Sequence, residues 1–138
     1  MGKKTVHPAE WRKLLRTARA ALKNAHAEYS HYKVGAALRT RKGQVFSGCN
    51  VENTCYGLSN CAERTAIFSA VAQLGPAMEI AAIAIAQGDD KPCTPCGACR
   101  QVIYEFGPNA VIYYQAEDGW KSARISKLLP DAFRAKTS

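Results

Sequence analysis

Residues 80–86 read IAAIAIA, a continuous apolar run with Glu79 before it and Gln87-Gly88 after it. A strand that is buried on both faces has this composition, because neither face needs polar side chains. The run therefore predicts the central strand of a sheet that is covered on both sides. Helical patterns alternate with strand patterns along the rest of the chain, so we expect helices to cover the sheet.

Four further strands are predicted, two before this run and two after it. VGAALRT (34–40) and QVFSGC (44–49) are joined by three residues, a connection so short that it predicts an antiparallel hairpin. AVIYYQ (110–115) is followed by four residues and then by WKSARI (120–125), which again permits only antiparallel pairing. The sequence thus predicts a mixed five-stranded sheet whose last two strands are antiparallel.

Three helices are predicted around this sheet. Pro8 can open the first, which would place six side chains on one face: Trp11, Leu14, Leu15, Ala18, Leu22 and Ala25. Residues 61–74 end at Gly75-Pro76, and residues 97–106 end at Gly107-Pro108, both natural helix stops. We found no repeat and no linker, so the prediction is an α/β fold in a single domain over residues 1–138.

Two cysteine groups stand at the starts of the second and third predicted helices. They are Cys61-Ala62-Glu63 and Pro95-Cys96-Gly97-Ala98-Cys99. Three thiolates would bind Zn²⁺ and leave one of its four positions open, as in a catalytic rather than a structural site. All three histidines lie in the N-terminal quarter, and nothing in their spacing offers a fourth ligand. The pattern predicts Cys61, Cys96 and Cys99 as zinc ligands.

Glu63 and Arg64 follow the first of these cysteines. A glutamate beside a zinc site can shuttle a proton between water and substrate, although a glutamate in a first helical turn often only complements the helix dipole. Three thiolates on Zn²⁺ leave one net negative charge, and Arg64 could donate to a thiolate rather than serve as a surface charge. We expect Glu63 to be catalytic and Arg64 to support the ligands.

Five stretches together resemble the small homotetrameric zinc-dependent cytidine deaminases. They are YSHYKVGAAL, GCNVENTCYG, NCAERTAIF, PCGACRQVIYEFG and LLPDAF, in this order. The resemblance implies a three-layer fold and one zinc per subunit on Cys61, Cys96 and Cys99. It further implies that zinc-bound hydroxide attacks C4 of cytidine or deoxycytidine while Glu63 protonates N3, and that ammonia is released. Pyrimidine salvage is the implied role.

The same resemblance implies substrate contacts. Asn50 and Glu52 match positions that hold the ribose 3′-hydroxyl, although an Asn here could equally be a turn residue that ends a strand. The backbone N–H of Ala62 matches a contact to the pyrimidine carbonyl. Tyr32 occupies a position where the family usually has a phenylalanine that packs on the base, and its hydroxyl is therefore a departure.

The resemblance also concerns neighbouring subunits. Tyr56 and Phe133 match residues that relatives contribute to an adjacent subunit's active site. It therefore implies a homotetramer with shared active sites and a small nucleoside as the partner molecule.

Charge distribution argues against a nucleic-acid substrate. The chain carries a formal net charge of +8, but residues 43–120 contain 3 basic against 8 acidic residues. The positive charge therefore lies in the two flanks, away from the cysteines. Polynucleotide deaminases, which join their last two strands through a helix, remain an alternative. So do a deaminase of modified nucleosides or of blasticidin-type antibiotics, and a structural zinc module with a fourth protein ligand.

Three expectations complete the prediction. The chain has no apolar run of about 18 residues and no secretory signal, which favours a cytoplasmic protein without a membrane span. Without an export signal, six cysteines favour metal or thiolate chemistry over disulfides. Cys49, Cys55 and Cys93 are expected to be small buried hydrophobic residues.

Overall fold

The computed structural model describes residues 7–135 and contains a five-stranded sheet with helices on both faces. The helices are α1 (Ala9–Leu22), α2 (Ala62–Leu74), α3 (Gly97–Phe106) and α4 (Ile125–Leu128), with a 3₁₀ turn at Tyr56–Leu58. The strands are β1 (Val34–Thr40), β2 (Val45–Cys49), β3 (Ile80–Gln87), β4 (Val111–Ala116) and β5 (Gly119–Arg124).

The strand order is β2-β1-β3-β4-β5, so the apolar β3 lies at the centre, as predicted. Ala36 of β1 pairs antiparallel with Gly48 of β2 on one side and with Ile85 of β3 on the other. β3 and β4 are parallel, with Ile83 opposite Ile112, because α3 supplies the crossover between them. β4 and β5 are antiparallel. The predicted mixed α/β fold, with its antiparallel last strands, is confirmed.

Helix α1 alone covers one face of the sheet. Its buried side chains are Trp11, Leu14, Leu15 and Ala18, and they pack on the small side chains of β1 and β3. The contact is close, since a Cβ on Gly35 would overlap the carbonyl oxygen of Ala18. The helix ends at Leu22, so Ala25 lies beyond it and the predicted apolar face is one turn shorter than expected.

The opposite face carries α2, α3 and α4 and most of the isoleucine-rich core. Ile67 of α2 and Ile103 of α3 are fully buried against Ile83 and Ile85 of β3. Gly48 lets the first turns of α2 approach β2, because a Cβ there would stand 2.9 Å from the carbonyl oxygen of Ala62. This approach sets the position of the N-terminus of α2. The sequence did not indicate α4.

Four aromatic rings pack together where the start of α1 contacts β4 and β5. Trp11 stacks on Tyr113 at 4.9 Å between centroids, and Tyr113 stacks on Trp120 at 5.0 Å. His7 meets the Trp120 ring edge-on at 4.8 Å, and its Nδ1 lies 2.5 Å from the Tyr113 hydroxyl.

Within residues 7–135, no helix is both long and apolar enough to cross a membrane.

Candidate active site

The N-termini of α2 and α3 meet on one face of the sheet and bring the two cysteine groups together. Cys61 is the residue that caps α2, and Cys96 caps α3. Their sulfurs lie 4.0 Å apart although 35 residues separate them, and the sulfur of Cys99 completes a cluster within 4.8 Å. Both helices direct the positive ends of their dipoles at this cluster, which favours thiolates over thiols.

The cluster fits a zinc ion. Tetrahedral zinc with Zn–S bonds of about 2.3 Å requires sulfurs about 3.8 Å apart, so the cluster needs only a small adjustment. Three protein ligands leave the fourth position for water or substrate. Among residues 7–135, the cluster consists of the three predicted cysteines and includes no histidine.

Hydrogen bonds stabilise negative charge on the sulfurs. Nη2 of Arg64 donates to Sγ of Cys61 at 3.2 Å, as expected for this residue. A hydrogen bond from Cys99, followed by the Arg64 guanidinium, lowers the pKa of Cys61 to about 5 against the opposing effect of burial. The backbone N–H of Cys99 donates to Sγ of Cys96 at 3.4 Å. The site therefore favours the thiolate form of Cys61, whereas the hydrogen bond between Cys61 and Cys99 raises the pKa of Cys99, which must lose its proton when metal binds.

Glu63 lies in the first turn of α2, and only 4% of it is exposed. Burial raises the pKa of its carboxyl to about 7, and the nearby Cys61 charge adds to this, while a hydrogen bond from Cys99 acts in the opposite direction. A carboxyl group that titrates near neutrality can both accept and donate a proton at that pH. A residue that only complemented the helix dipole would have no reason to be buried.

Asn50 and Glu52 both hold the segment that leads into β1. The buried Asn50 side chain accepts from the backbone N–H of Val34 at 2.9 Å and donates to the carbonyl of Tyr32 at 2.8 Å. The Glu52 carboxylate accepts from the backbone N–H groups of residues 29 and 30, each at 3.0 Å, and from the Ser30 hydroxyl. The pKa of the Glu52 carboxyl is lowered, mainly by the hydrogen bond from the Ser30 hydroxyl. Each side chain keeps capacity for a further hydrogen bond.

Tyr32 and Ala62 lie beside these groups. Tyr32 is half-buried, and its hydroxyl donates to the carbonyl oxygen of Pro92 at 2.7 Å. Burial raises the pKa of Tyr32 well above its usual value, and the neighbouring Cys93 and Glu63 add to the shift. Ala62 is the first residue of α2, so its N–H has no acceptor within the helix.

Tyr56 and Phe133 extend from the surface of the single chain. Their exposed fractions are 74% and 77%, which are high for aromatic residues. The Tyr56 ring meets the Tyr29 ring edge-on at 5.8 Å, and the backbone carbonyl of Phe133 accepts from Gln101 of α3 at 3.0 Å. Each ring thus has one side free for another molecule.

Two residues that the sequence analysis did not single out support the site. Nε of Arg100 donates to the carbonyl of Pro95 at 2.7 Å, which fixes the residue before Cys96, and its Nη1 donates to the carbonyl of Leu128. Ser30 connects Glu52 to Tyr32, as its hydroxyl also accepts from the Tyr32 N–H at 3.0 Å. Both residues lie within the five stretches that resemble the family, but their contacts could not be predicted from spacing along the sequence.

The prediction for the other cysteines is wrong for Cys55. This residue is exposed, because it immediately precedes the 3₁₀ turn on the surface. Cys49 and Cys93 are partly buried, and burial raises the pKa of Cys93 to about 11. Among the described residues, all six cysteines are free thiols.

Known proteins resemble this chain over most of its length. The family model for the cytidine and deoxycytidylate deaminase zinc-binding region matches residues 9–115. The cytidine deaminase of Sporosarcina psychrophila is 41% identical over 123 residues, which cover 88% of this chain and 89% of the relative. The crystal structure of cytidine deaminase from Burkholderia pseudomallei superposes with a TM-score of 0.80 at 50% identity, over 88% of this chain and 97% of that one.

A second solved structure agrees with the first. Cytidine deaminase from Mycobacterium tuberculosis superposes with a TM-score of 0.81 at 36% identity and covers 93% of this chain and all of its own. Sequence and fold therefore agree along most of the chain, and the match to the family model spans both cysteine groups. The chain belongs to the cytidine and deoxycytidylate deaminase zinc-binding family and is a zinc-dependent deaminase with one zinc per subunit.

Proposed function

We propose that the chain hydrolyses cytidine and deoxycytidine to uridine and deoxyuridine, consuming one water and releasing one ammonia per turnover. The observation that carries the proposal is the buried Glu63 carboxyl beside a cluster of three thiols. Proteins similar to this chain in sequence and in fold carry the name cytidine deaminase, which supports a nucleoside substrate.

In this mechanism the chain's own residues hold the metal and move the protons. Cys61, Cys96 and Cys99 bind zinc, which when present acidifies a water molecule that adds to C4 of the pyrimidine. Glu63 takes one proton from that water and delivers it to N3. It then moves the remaining proton of the new C4 hydroxyl to the amino group, so that the C4–N bond breaks, ammonia leaves and C4 keeps a carbonyl oxygen. A pKa of about 7 suits both steps, because the carboxyl must be recharged in every cycle.

Four residues would position the nucleoside. The Ala62 N–H donates to the pyrimidine carbonyl, and the Tyr32 ring packs on the base. Asn50 and Glu52 bind the ribose 3′-hydroxyl with the hydrogen-bonding capacity that their contacts to the 29–34 backbone leave free. Those contacts hold both side chains rigidly, so the sugar would meet a preformed site.

We also propose a homotetramer in which Tyr56 and Phe133 complete the active sites of neighbouring subunits. Aromatic side chains with three quarters of their area exposed are typical of protein interfaces. Sedimentation velocity at micromolar concentration would reveal a 60 kDa species if four 15.0 kDa chains associate. A monomer with full activity would refute shared sites.

Residues 1–138 would form one catalytic domain, and its place would be the cytoplasm, in the salvage of pyrimidine nucleosides. The antiparallel pairing of β4 with β5 favours a free nucleoside over a polynucleotide, since a parallel last strand would need a helical connection. The acidic balance of residues 43–120 favours the same choice. Asn50 and Glu52, which would bind the 3′-hydroxyl of a ribose, favour an ordinary nucleoside over a blasticidin-type antibiotic.

A panel of substrates tests the assignment. Ammonia release would be measured with cytidine, deoxycytidine, cytosine, CMP, blasticidin S and a cytosine-containing oligonucleotide. We expect turnover of the two nucleosides at rates far above those of the other four compounds. Turnover of the oligonucleotide or of blasticidin S without turnover of cytidine would overturn the proposal.

Glu63→Gln tests the role of the carboxyl. This variant should retain one zinc per chain and lose about 10²–10⁴-fold in turnover, the usual contribution of a positioned acid–base group. Glu105→Gln makes the same change at an exposed position of α3 and should leave turnover unchanged. Unchanged ammonia release from Glu63→Gln would refute the mechanism, and loss of its zinc would point to a structural role.

A further inference from the structure

Tyr32 joins two segments that are far apart in sequence and flank the site. Its hydroxyl donates to the carbonyl oxygen of Pro92 at 2.7 Å, across 60 residues of chain. Pro92 lies in the β3–α3 segment (residues 88–96), which ends at the zinc ligand Cys96. The Tyr32 ring and Cys93 both pack against the isoleucine-rich core. The tyrosine is therefore anchored at its ring and at its hydroxyl.

The backbone of Tyr32 is held from the other side by the residues proposed to bind ribose. Its carbonyl accepts from Nδ2 of Asn50 at 2.8 Å. Its N–H donates to the Ser30 hydroxyl at 3.0 Å, and that hydroxyl donates to the Glu52 carboxylate. A continuous series of hydrogen bonds thus runs from Asn50 and Glu52 through Tyr32 to the β3–α3 segment.

Other hydrogen bonds hold the start, the middle and the end of the β3–α3 segment. At its start, the Gln87 side chain accepts from the backbone N–H groups of residues 89 and 91 at 2.8 and 3.0 Å. In its middle, the Cys93 N–H donates to the carbonyl of Gln115 in β4 at 2.8 Å. At its end, Arg100 holds the carbonyl of Pro95 at 2.7 Å. The ligand end is therefore fixed without Tyr32, whereas the middle is held by the β4 contact and the Tyr32 hydroxyl together.

We propose that the Tyr32 hydroxyl is a positioning group, distinct from the ring that packs on the base, and that it couples the ribose-binding side chains to the middle of the β3–α3 segment. The inference rests on the proposed nucleoside deamination, because that proposal assigns ribose binding to Asn50 and Glu52 and base packing to the Tyr32 ring. Loss of the hydroxyl should leave the middle of the segment with only its β4 contact, loosen it and weaken nucleoside binding. The independent contact at Pro95 should preserve zinc and chemistry.

Tyr32→Phe removes only the hydroxyl and keeps the ring. We expect KM for cytidine to rise about two- to tenfold, as for loss of one hydrogen bond, while kcat changes less than twofold and zinc content stays at one per chain. Tyr104→Phe makes the same change on α3, outside this network, and should alter neither constant. A merely structural role would instead lower kcat and zinc content together.

Hydrogen–deuterium exchange provides a reading that does not depend on turnover. Amide exchange over residues 91–94, which include the Cys93 N–H, should accelerate at least fivefold in Tyr32→Phe and not in Tyr104→Phe. Unchanged exchange together with an unchanged KM would overturn the coupling. If the wild-type chain fails to deaminate cytidine while the exchange difference is present, the proposed substrate fails and the coupling stands.

Discussion

Removal of the Arg64 guanidinium should weaken zinc binding. Its Nη2 donates to Sγ of Cys61 at 3.2 Å, within a cluster whose three thiolates exceed the charge of Zn²⁺ by one. A hydrogen bond to a charged group contributes about 1.5–3 kcal/mol. At about 1.4 kcal/mol per factor of ten, Arg64→Ala should raise the zinc dissociation constant by about 10- to 150-fold. This range includes the usual effect of removing a side chain that supports a metal ligand.

Competition with a chromogenic chelator at pH 7.5 would measure the zinc dissociation constant. Arg64→Gln, which keeps a donor but no charge, should give a smaller increase than Arg64→Ala. The same loss should raise the pKa of Cys61, since the guanidinium helps to depress it. Protons compete with zinc for the thiolate, so zinc should dissociate at higher pH from the variant than from the wild type.

Arg41→Ala is the matched control. Arg41 forms an exposed ion pair with Glu79 at 3.6 Å in the region of the β1–β2 hairpin, and such pairs contribute little. Its zinc affinity should equal that of the wild type. The reasoning is refuted if Arg64→Ala binds zinc within twofold of the wild type, or if the control loses as much affinity as the variant.

Two further predictions concern the elements that carry the site. Gly48→Ala should displace the first turn of α2 and lower both thermal stability and zinc content, because its Cβ would approach the Ala62 carbonyl oxygen to 2.9 Å. Gly57→Ala, with no atom within 4 Å of the new Cβ, should change neither property. Equal melting temperatures for the two variants would contradict this prediction. Burial, and then the nearby Arg19, lowers the pKa of His7 below 6.5. Protonation therefore disfavours the folded arrangement, so stability should be complete above pH 6.5 and decline as the pH falls below it. The chain's two tryptophans both pack in the cluster with His7, so tryptophan fluorescence should titrate with a midpoint below 6.5, and a titration that survives His7→Gln would contradict the assignment.

Most secondary structure could be predicted because it depends on local patterns. The uninterrupted apolar composition of residues 80–86 identified the central strand, and short connections identified the antiparallel pairs β1–β2 and β4–β5. Gly75 and Gly107 ended α2 and α3 as expected. The four-residue helix α4 was missed because so short an element has no periodicity to detect.

The candidate site divides in the same way. The three cysteines, Glu63 and Arg64 could be singled out, because each lies within a few residues of a helix start and metal chemistry limits the usable side chains. Cys55 was misjudged because burial depends on what packs over a residue rather than on its type. The contacts of Arg100 and Ser30 follow no rule of spacing.

The sequence by itself therefore determined most of the elements, the family and the identity of the zinc-binding side chains, since these depend on side-chain chemistry and short-range order. The tertiary structure alone decided which distant groups meet. It placed sulfurs 35 residues apart at 4.0 Å, buried Glu63 so that its pKa rises to about 7, and set the Tyr32 hydroxyl on the carbonyl of Pro92. The physical reason is that distance, burial and hydrogen-bond partners arise only when the sheet and its helices pack together.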